Sequence, residues 1–419
     1  MRLIYAILIG FLGSQTIWGQ TLYFPPTTGN TWQTQSPTEL GWCNDQIDPL
    51  VNFLATTNTK AFMVLKDGKI VIEQYFGTFT QDSLWYWASA GKSMTAFLVG
   101  LAQQEGSLSI NNPTSDYLGN GWTTCPPNKE ALITVRNQLT MTTGLDDGVT
   151  DSDCTDPTCL QYLADAGTRW AYHNAPYTLL DGVITDATGL TINQYYNSRI
   201  KSQIGMNGLY LPLDYNNVLF TNARSMARFG LLMLNKGKWA NNTLLTDTTY
   251  YHNMVNSSQT LNPAYGYLWW LNGKTSFMVP GFQFVFDGSL HPAAPADMVS
   301  ALGKNGQIIN IVPSQNLVMI RMGNNPENNL VPINYNNDIW TYLNQILCNQ
   351  TCTFTPPITG SSPVCSSSTQ NYSVPAIAGS TYVWTVAGGN IIAGQGTPQI
   401  MVQWNNGTIG TVSIEQTVQ

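Results

Sequence analysis

Three short stretches of the chain hold residue types that do nucleophilic chemistry. The first runs Trp87-Ala88-Ser89-Ala90-Gly91-Lys92. A serine hydroxyl is a poor nucleophile until a neighbour takes its proton. Ser89 and Lys92 stand three apart, nearly one helical turn, so on a helix they share a face. Burial lowers a lysine's pKa and turns it into a proton acceptor. A helix start also supplies N–H groups and positive potential beside the reacting oxygen. The spacing alone is common, and a helix-starting serine followed by a surface lysine would read the same way. Here the flanking residues are apolar and aromatic, in a chain poor in charge.

The second stretch is Arg169-Trp170-Ala171-Tyr172-His173-Asn174. A phenol beside a lysine and a serine relays protons, because nearby cations stabilise its phenolate. Asn174 both donates and accepts, so it could position Lys92 and a substrate amide. The plainer readings are a half-buried aromatic and a turn residue. His173 is the tempting base, yet an extended segment turns its side chain away from those of its neighbours. The third stretch is Lys304-Asn305-Gly306-Gln307, read as a strand start. Lys304 could bind a carboxylate or aid proton transfer, with Asn305 beside it. Gly306 would let a substrate lie against the strand edge. The Gln307 N–H and the Ser89 N–H would form an oxyanion hole. An ordinary Asn-Gly turn is the alternative. Trp269 lines the site or belongs to the core.

Taken in order, the three stretches resemble the motifs of the serine beta-lactamase and penicillin-binding-protein superfamily. The resemblance is nearest the branch of class C beta-lactamases, related esterases, D-aminopeptidases and 6-aminohexanoate-oligomer hydrolases. Ser89-x-x-Lys92 stands at the nucleophile motif, Tyr172-x-Asn174 at the tyrosine motif, and Lys304-Asn305-Gly306 at the K-T-G motif. Residues 133–145 and 223–239 are similar to family segments too, and the likeness spans roughly 50–345. It implies that Ser89 is acylated. Lys92 and Tyr172 would act as base and then as acid, Asn174 would orient Lys92 and substrate, and Lys304 would support the tyrosine. It further implies an α+β fold, a beta-lactamase-like antiparallel sheet flanked by helices. Asn305 departs from the family threonine, which points to an ester or amide rather than a β-lactam. The alternatives are a D-amino-acid peptidase or beta-lactamase, and a non-catalytic binding protein that kept the fold.

Several elements must position these residues. Residues 61–75 hold two β-rich runs around Asp67-Gly68, a hairpin signal. Helical spacing predicts helices at about 89–104, 177–188 and 223–235, and a closing helix at 334–347. Strand-like runs occur at 267–271, 308–312 and 317–322, the last two around a Pro-Ser-Gln-Asn turn. The order of strands, helices, strands and a closing helix fits an antiparallel sheet with helices on its faces. The character changes near Pro356. Short strands between Gly, Asn and Pro turns then read as a small C-terminal β-sandwich. Residues 379–412 are similar to PKD-like modules attached to secreted proteins. Core candidates there are Tyr382, Trp384, Ile400, Val402 and Trp404.

The chain has 419 residues, 43% apolar but only 10% charged, against ~25% in ordinary soluble domains. Net charge is -7 with no basic block, so no nucleic-acid partner is expected. Residues 1–20 read as a signal peptide cleaved near Gly19 or Gln20. No later run is apolar for 18 residues, so no membrane span is expected. A secreted, extracellular or periplasmic protein permits disulfides. Spacing suggests Cys154–Cys159, Cys348–Cys352 and Cys43–Cys125, leaving Cys365 over. Zinc is a weaker reading, since these gaps lack nearby histidines. No cofactor and no metal is expected. The domains are thus a signal (1–20), a hydrolase domain (46–347) and a PKD-like sandwich (357–419). The partner is a small ester, amide or short peptide, with surface association through the C-terminal module.

Overall fold

The computed structural model describes residues 22–325, 329–348, 358–377, 380–407 and 409–418. The expected signal segment and Cys352 lie outside the described residues. The chain divides into two compact units, one ending at Leu347 and one running from Cys348 to Gln419.

In the first unit a helix, α1 (Ile47–Thr56), leads into the hairpin β1 (Thr59–Lys66) and β2 (Lys69–Tyr75). Asp67 (φ 50°) and Gly68 (φ 82°) are both left-handed, as a two-residue hairpin turn requires. A short strand, β3 (Trp85–Tyr86), precedes the long helix α2 (Gly91–Gln104). Every residue of α2 from Gly91 to Ala102 is buried, so it is the central helix of the unit rather than a surface one. Next come α3 (Asn174–Thr178) and α4 (Leu180–Thr188), then the hairpin β4 (Leu209–Leu213) and β5 (Asn216–Thr221). Helix α5 (Ala223–Leu234) starts at Asn222, whose side chain accepts from the Ser225 N–H. Four strands follow: β6 (Trp270–Leu271), β7 (Val299–Gly303), β8 (Gln307–Val312) and β9 (Leu317–Gly323). Helix α6 (Ile333–Ile346) closes the unit.

The main sheet has six strands in the order β2-β1-β9-β8-β7-β6, each pair antiparallel. Helix α5 crosses one face, where Gly230 allows close approach; a methyl there would meet Val318 and Ile309. Helix α6 lies on the other face, with Tyr335 under the Arg321 guanidinium (4.9 Å) and Asn336 bonded to Asn310 (2.7 Å). The first unit is thus a mixed α/β body built on an antiparallel sheet flanked by helices.

Three sequence expectations change. The run at 267–271 shrinks to Trp270–Leu271, because Leu268 is left-handed (φ 60°) and breaks the strand. Trp269 is fully buried and stacks on Phe229 (6.0 Å), so it is a core residue and not a substrate contact. Cys125 is a buried free thiol packed with Trp122, Ile133 and Leu160, so no Cys43–Cys125 bridge forms. Cys43 and Cys348 are each disulfide-bonded. The expected Cys154–Cys159 bridge is present, with Cα atoms 5.9 Å apart.

The second unit carries β10 (Thr359–Gly360), β11 (Thr369–Ser373), β12 (Ser380–Ala387), β13 (Gly389–Ala393), β14 (Gln399–Trp404) and β15 (Thr411–Val418). They form a four-stranded sheet, β10-β11-β14-β13, and a two-stranded one, β12-β15. Tyr372, Tyr382, Trp384, Ile400, Val402 and Trp404 fill the core between them. Alternation of buried and exposed residues along β12 and β14 is the half-buried strand pattern of a sandwich.

Candidate active site

Ser89 sits in a single tight turn, Ala88–Ala90, that runs straight into α2. Two features hold this turn. Strand β3 pairs with β5 through Trp85–Thr221 and Tyr86–Phe220, and the Trp87 N–H donates to the Leu219 carbonyl (2.8 Å). The Trp87 indole N–H then donates to Thr221 Oγ1 (2.8 Å). Ala88 adopts a left-handed φ of 45°, a conformation that costs a residue with a Cβ. This kink directs the Ser89 hydroxyl toward a cleft of about 580 Å³, which Ser89 lines.

One helical turn on, the Lys92 ammonium donates to Ser89 Oγ at 3.1 Å. Lys92 is 4% exposed, and its nitrogen lies 4.1 Å from the centre of the Tyr177 ring and 5.3 Å from that of Tyr172. Burial removes water from the ammonium and lowers its pKa to about 7, while the Asp153 carboxylate pulls the other way. Near neutral pH a large share of Lys92 is therefore free base, with its lone pair within reach of the serine proton. Burial drives the Tyr172 phenol above its ordinary value, opposed only by its hydrogen bond to Ser89. Tyr172 is thus a proton-bearing phenol in the resting site, next to the nucleophile.

The remaining expected residues divide. Asn174 lines the cleft at the start of α3, and its buried Oδ1 has no protein partner. Lys304 and Asn305 line the same cleft. Lys304 is exposed and makes no ion pair among the described residues. Asn305 is left-handed (φ 64°) and donates from Nδ2 to the Tyr86 hydroxyl at 2.6 Å. Lys304–Gly306 is the turn that joins β7 to β8, not a strand start.

This hairpin displaces two assignments. Gly306 is buried beneath the turn, where a methyl would strike the Arg321 guanidinium; its role is backbone geometry (φ 78°), not substrate contact. The Gln307 side chain is fully buried, donating to the Gly323 carbonyl (2.7 Å), and Gln307 is not among the residues that line the cleft. The residue brought against the nucleophile turn is Gly303, at the end of β7. A methyl on it would collide with the Trp87 carbonyl and the Ser89 and Ala90 amides. His173 is 2% exposed, outside the cleft, with neither ring nitrogen bonded; burial lowers its pKa to about 4.

Other cleft residues carried no sequence signal strong enough to single them out. Asp151 and Asp153 line it from the segment just before the Cys154–Cys159 bridge. Asn216 and Asn217 line it from β5, tied to Thr178 (2.7 Å) and Asp181 (2.9 Å) behind them. Tyr86 precedes the nucleophile by three residues, and Tyr177 follows Tyr172 by five. An aromatic count around the motifs hints at both, but spacing alone does not. Among the described residues no group of three or more His, Cys, Asp or Glu is arranged to hold a metal, and no helix is long and apolar enough to cross a membrane.

Comparison with known proteins agrees with this layout. The family described as Beta-lactamase matches residues 57–336, and the one described as PKD-like domain matches 352–418. An uncharacterized protein of Alkalihalophilus pseudofirmus is 23% identical over 300 residues, 62% of this chain and 82% of its own. A putative 6-aminohexanoate-dimer hydrolase from Bacillus anthracis superposes with a TM-score of 0.57 at 20% identity, over 78% of this chain and 91% of that one. A putative beta-lactamase from Bacteroides dorei gives 0.58 at 17% identity, over 73% and 99%. At these identities the solved structures establish the fold.

Proposed function

The chain belongs to the Beta-lactamase family, with a PKD-like module following, and on that premise we propose that it is a secreted serine hydrolase. It cleaves an ester or amide through an acyl-enzyme on Ser89. The observation that carries this reading is the 3.1 Å contact between Ser89 Oγ and a buried Lys92 whose pKa lies near 7. A nucleophile and a base within hydrogen-bond reach, at an open cleft, are the minimum machinery of covalent acyl transfer.

The steps follow from the positions. Free-base Lys92 accepts the Ser89 proton as Oγ attacks the carbonyl carbon. The Tyr172 phenol gives a proton to the departing oxygen or nitrogen and is reprotonated from the Lys92 ammonium. Water then attacks the acyl carbon by the reverse route and restores the serine. For the oxyanion we assign the Ser89 N–H and, in place of Gln307, the Lys304 N–H, since Gly303 and Lys304 flank the nucleophile turn. Asn174, with an unused Oδ1, orients Lys92 and substrate. The Cys154–Cys159 bridge fits an oxidising compartment and supports the secreted reading.

Lys304, exposed at the cleft and without an ion pair among the described residues, favours a second reading, a D-peptidase or beta-lactamase whose substrate carries a carboxylate. Asn305 counts against it, because its amide is committed to Tyr86. A panel of short esters, D-alanyl peptides, nylon-type oligomers and a chromogenic cephalosporin separates the two. Fast ester cleavage with no D-alanine release supports the first. Release of D-alanine as the faster reaction rejects it.

A further inference from the structure

A second cavity, of about 650 Å³, opens beside the catalytic cleft. Phe277, Val279, Phe282, Phe286, Leu290 and Leu330 give it an apolar side, Ser289, Asn329, Asn334 and Asn337 add neutral polar groups, and among the described residues that line it Asp287 is the one that is charged. Leu330 stands in the wall of both this cavity and the cleft that holds Ser89, so the two meet there. The lip faces water with large apolar groups: Phe282 is 61% exposed and Leu330 50%. Contiguous exposed apolar surface of this kind marks a binding site more often than chance packing. The phenylalanines are also ordered among themselves. Phe277 stacks on Phe286 at 5.3 Å, and Phe284 meets Phe286 edge-on at 4.9 Å. Gln283, between the two most exposed rings, donates its amide to the Trp170 carbonyl (3.0 Å). Trp170 packs on Tyr172 at 6.5 Å, so the aromatic loop is tied to the segment that bears the proposed proton donor.

We infer that this groove is the subsite for an extended apolar chain on the substrate, and that the preferred substrates are esters or amides bearing such a chain. The inference rests on the hydrolase reading and names its substrate class. The cleft around Ser89 carries the charge, with Lys92, Asp151, Asp153, Asp214 and Lys304 in its wall, and suits the carbonyl and its polar surroundings. Among the described residues that line it, the neighbouring groove offers no cation for a phosphate or carboxylate and a single carboxylate for an amine. A hydrocarbon chain leaving the carbonyl past Leu330 is what it can desolvate. In the reaction the Ser89 Oγ–acyl bond forms as the bond to the alcohol breaks, and the alcohol leaves with a proton. Water then adds its hydroxyl to the acyl carbon and its proton returns to Ser89, so ester plus water gives acid plus alcohol.

The test uses the full chain and monomeric substrates in two arms. One varies the acyl chain from p-nitrophenyl acetate to octanoate. The other keeps an acetyl group and varies the alcohol from ethanol to octanol. On one arm kcat/KM should rise about tenfold or more with chain length, the scale expected for several buried methylenes. The arm that responds identifies which side of the ester occupies the groove. The long-to-short ratio should fall toward one in Phe282→Asn and in Leu330→Asn. Val383→Asn, at an apolar residue of the second unit that is 53% exposed, should keep it. Flat chain-length profiles on both arms overturn the inference. So does a flat profile with a concentration-dependent dimer that Phe282→Asn dissolves, because the groove would then be a self-association surface. Acetate cleavage, and its loss in Ser89→Ala, reads the hydrolase proposal separately.

Discussion

Lys92 is the residue on which the proposed chemistry turns, and its burial makes a signed prediction. It is charged below about pH 7 and neutral above, and the proposed mechanism needs the neutral form. The kcat/KM profile should therefore climb through an acidic limb near pH 7. Asp153 favours the ammonium, so Asp153→Asn should move that limb to lower pH and raise relative activity at pH 6. A limb that stays in place would assign the titration to another group. Lys92→Met should cut kcat by about 10²–10⁴ while the fold is kept. Stability has its own sign. An unfolded lysine titrates near ~10.4, so between about pH 7 and 10 the unfolded chain binds a proton that the folded one lacks. Stability should rise with pH across that window, and Lys92→Met should flatten the rise in thermal scans. That Ser89, Lys92, Tyr172 and Asn174 share one cleft was legible because each sits in a short motif with a chemical reason for its spacing. The presence of Asp153, Tyr86 and Tyr177 there was not, because a loop, strand β3 and helix α3 bring them in and no local pattern announces that.

At the scale of elements, β7 and the nucleophile turn must touch backbone to backbone. Gly303 permits this, and Gly303→Ala should lower kcat/KM by about 100-fold through displacement of the Ser89 and Lys304 amides. An activity within a few-fold of the parent would show that β7 does not position the site. The elements themselves were largely readable. The 3.6-residue spacing of Met94, Phe97, Leu98 and Leu101 marks α2, and Asp67-Gly68 marks the first hairpin. The third motif misled for a physical reason. Lys304-Asn305-Gly306 reads equally as a strand start or a turn, and the chain uses it as the β7–β8 turn. The motif's place beside Ser89 is thereby filled by the residue just before it. Trp269 misled in another way: an aromatic in an apolar run fits a pocket wall or a core, and tertiary packing decides.

As a whole molecule the chain separates into a unit that holds every residue lining the cleft and a small sandwich with its own core. The change of composition falls near Pro356, whereas the two units divide between Leu347 and Cys348. A chain ending at residue 356 should keep kcat/KM for short esters within about twofold, with rates on purified protein as the check; a large loss would make the sandwich part of the catalytic body. The most direct measurement is covalent capture of the full chain by a fluorophosphonate, followed by intact mass and peptide mapping. The account predicts one phosphonyl adduct, carried on Ser89, absent from Ser89→Ala and strongly slowed in Lys92→Met. Undiminished labelling in Ser89→Ala, or an adduct mapped to another serine, would contradict it.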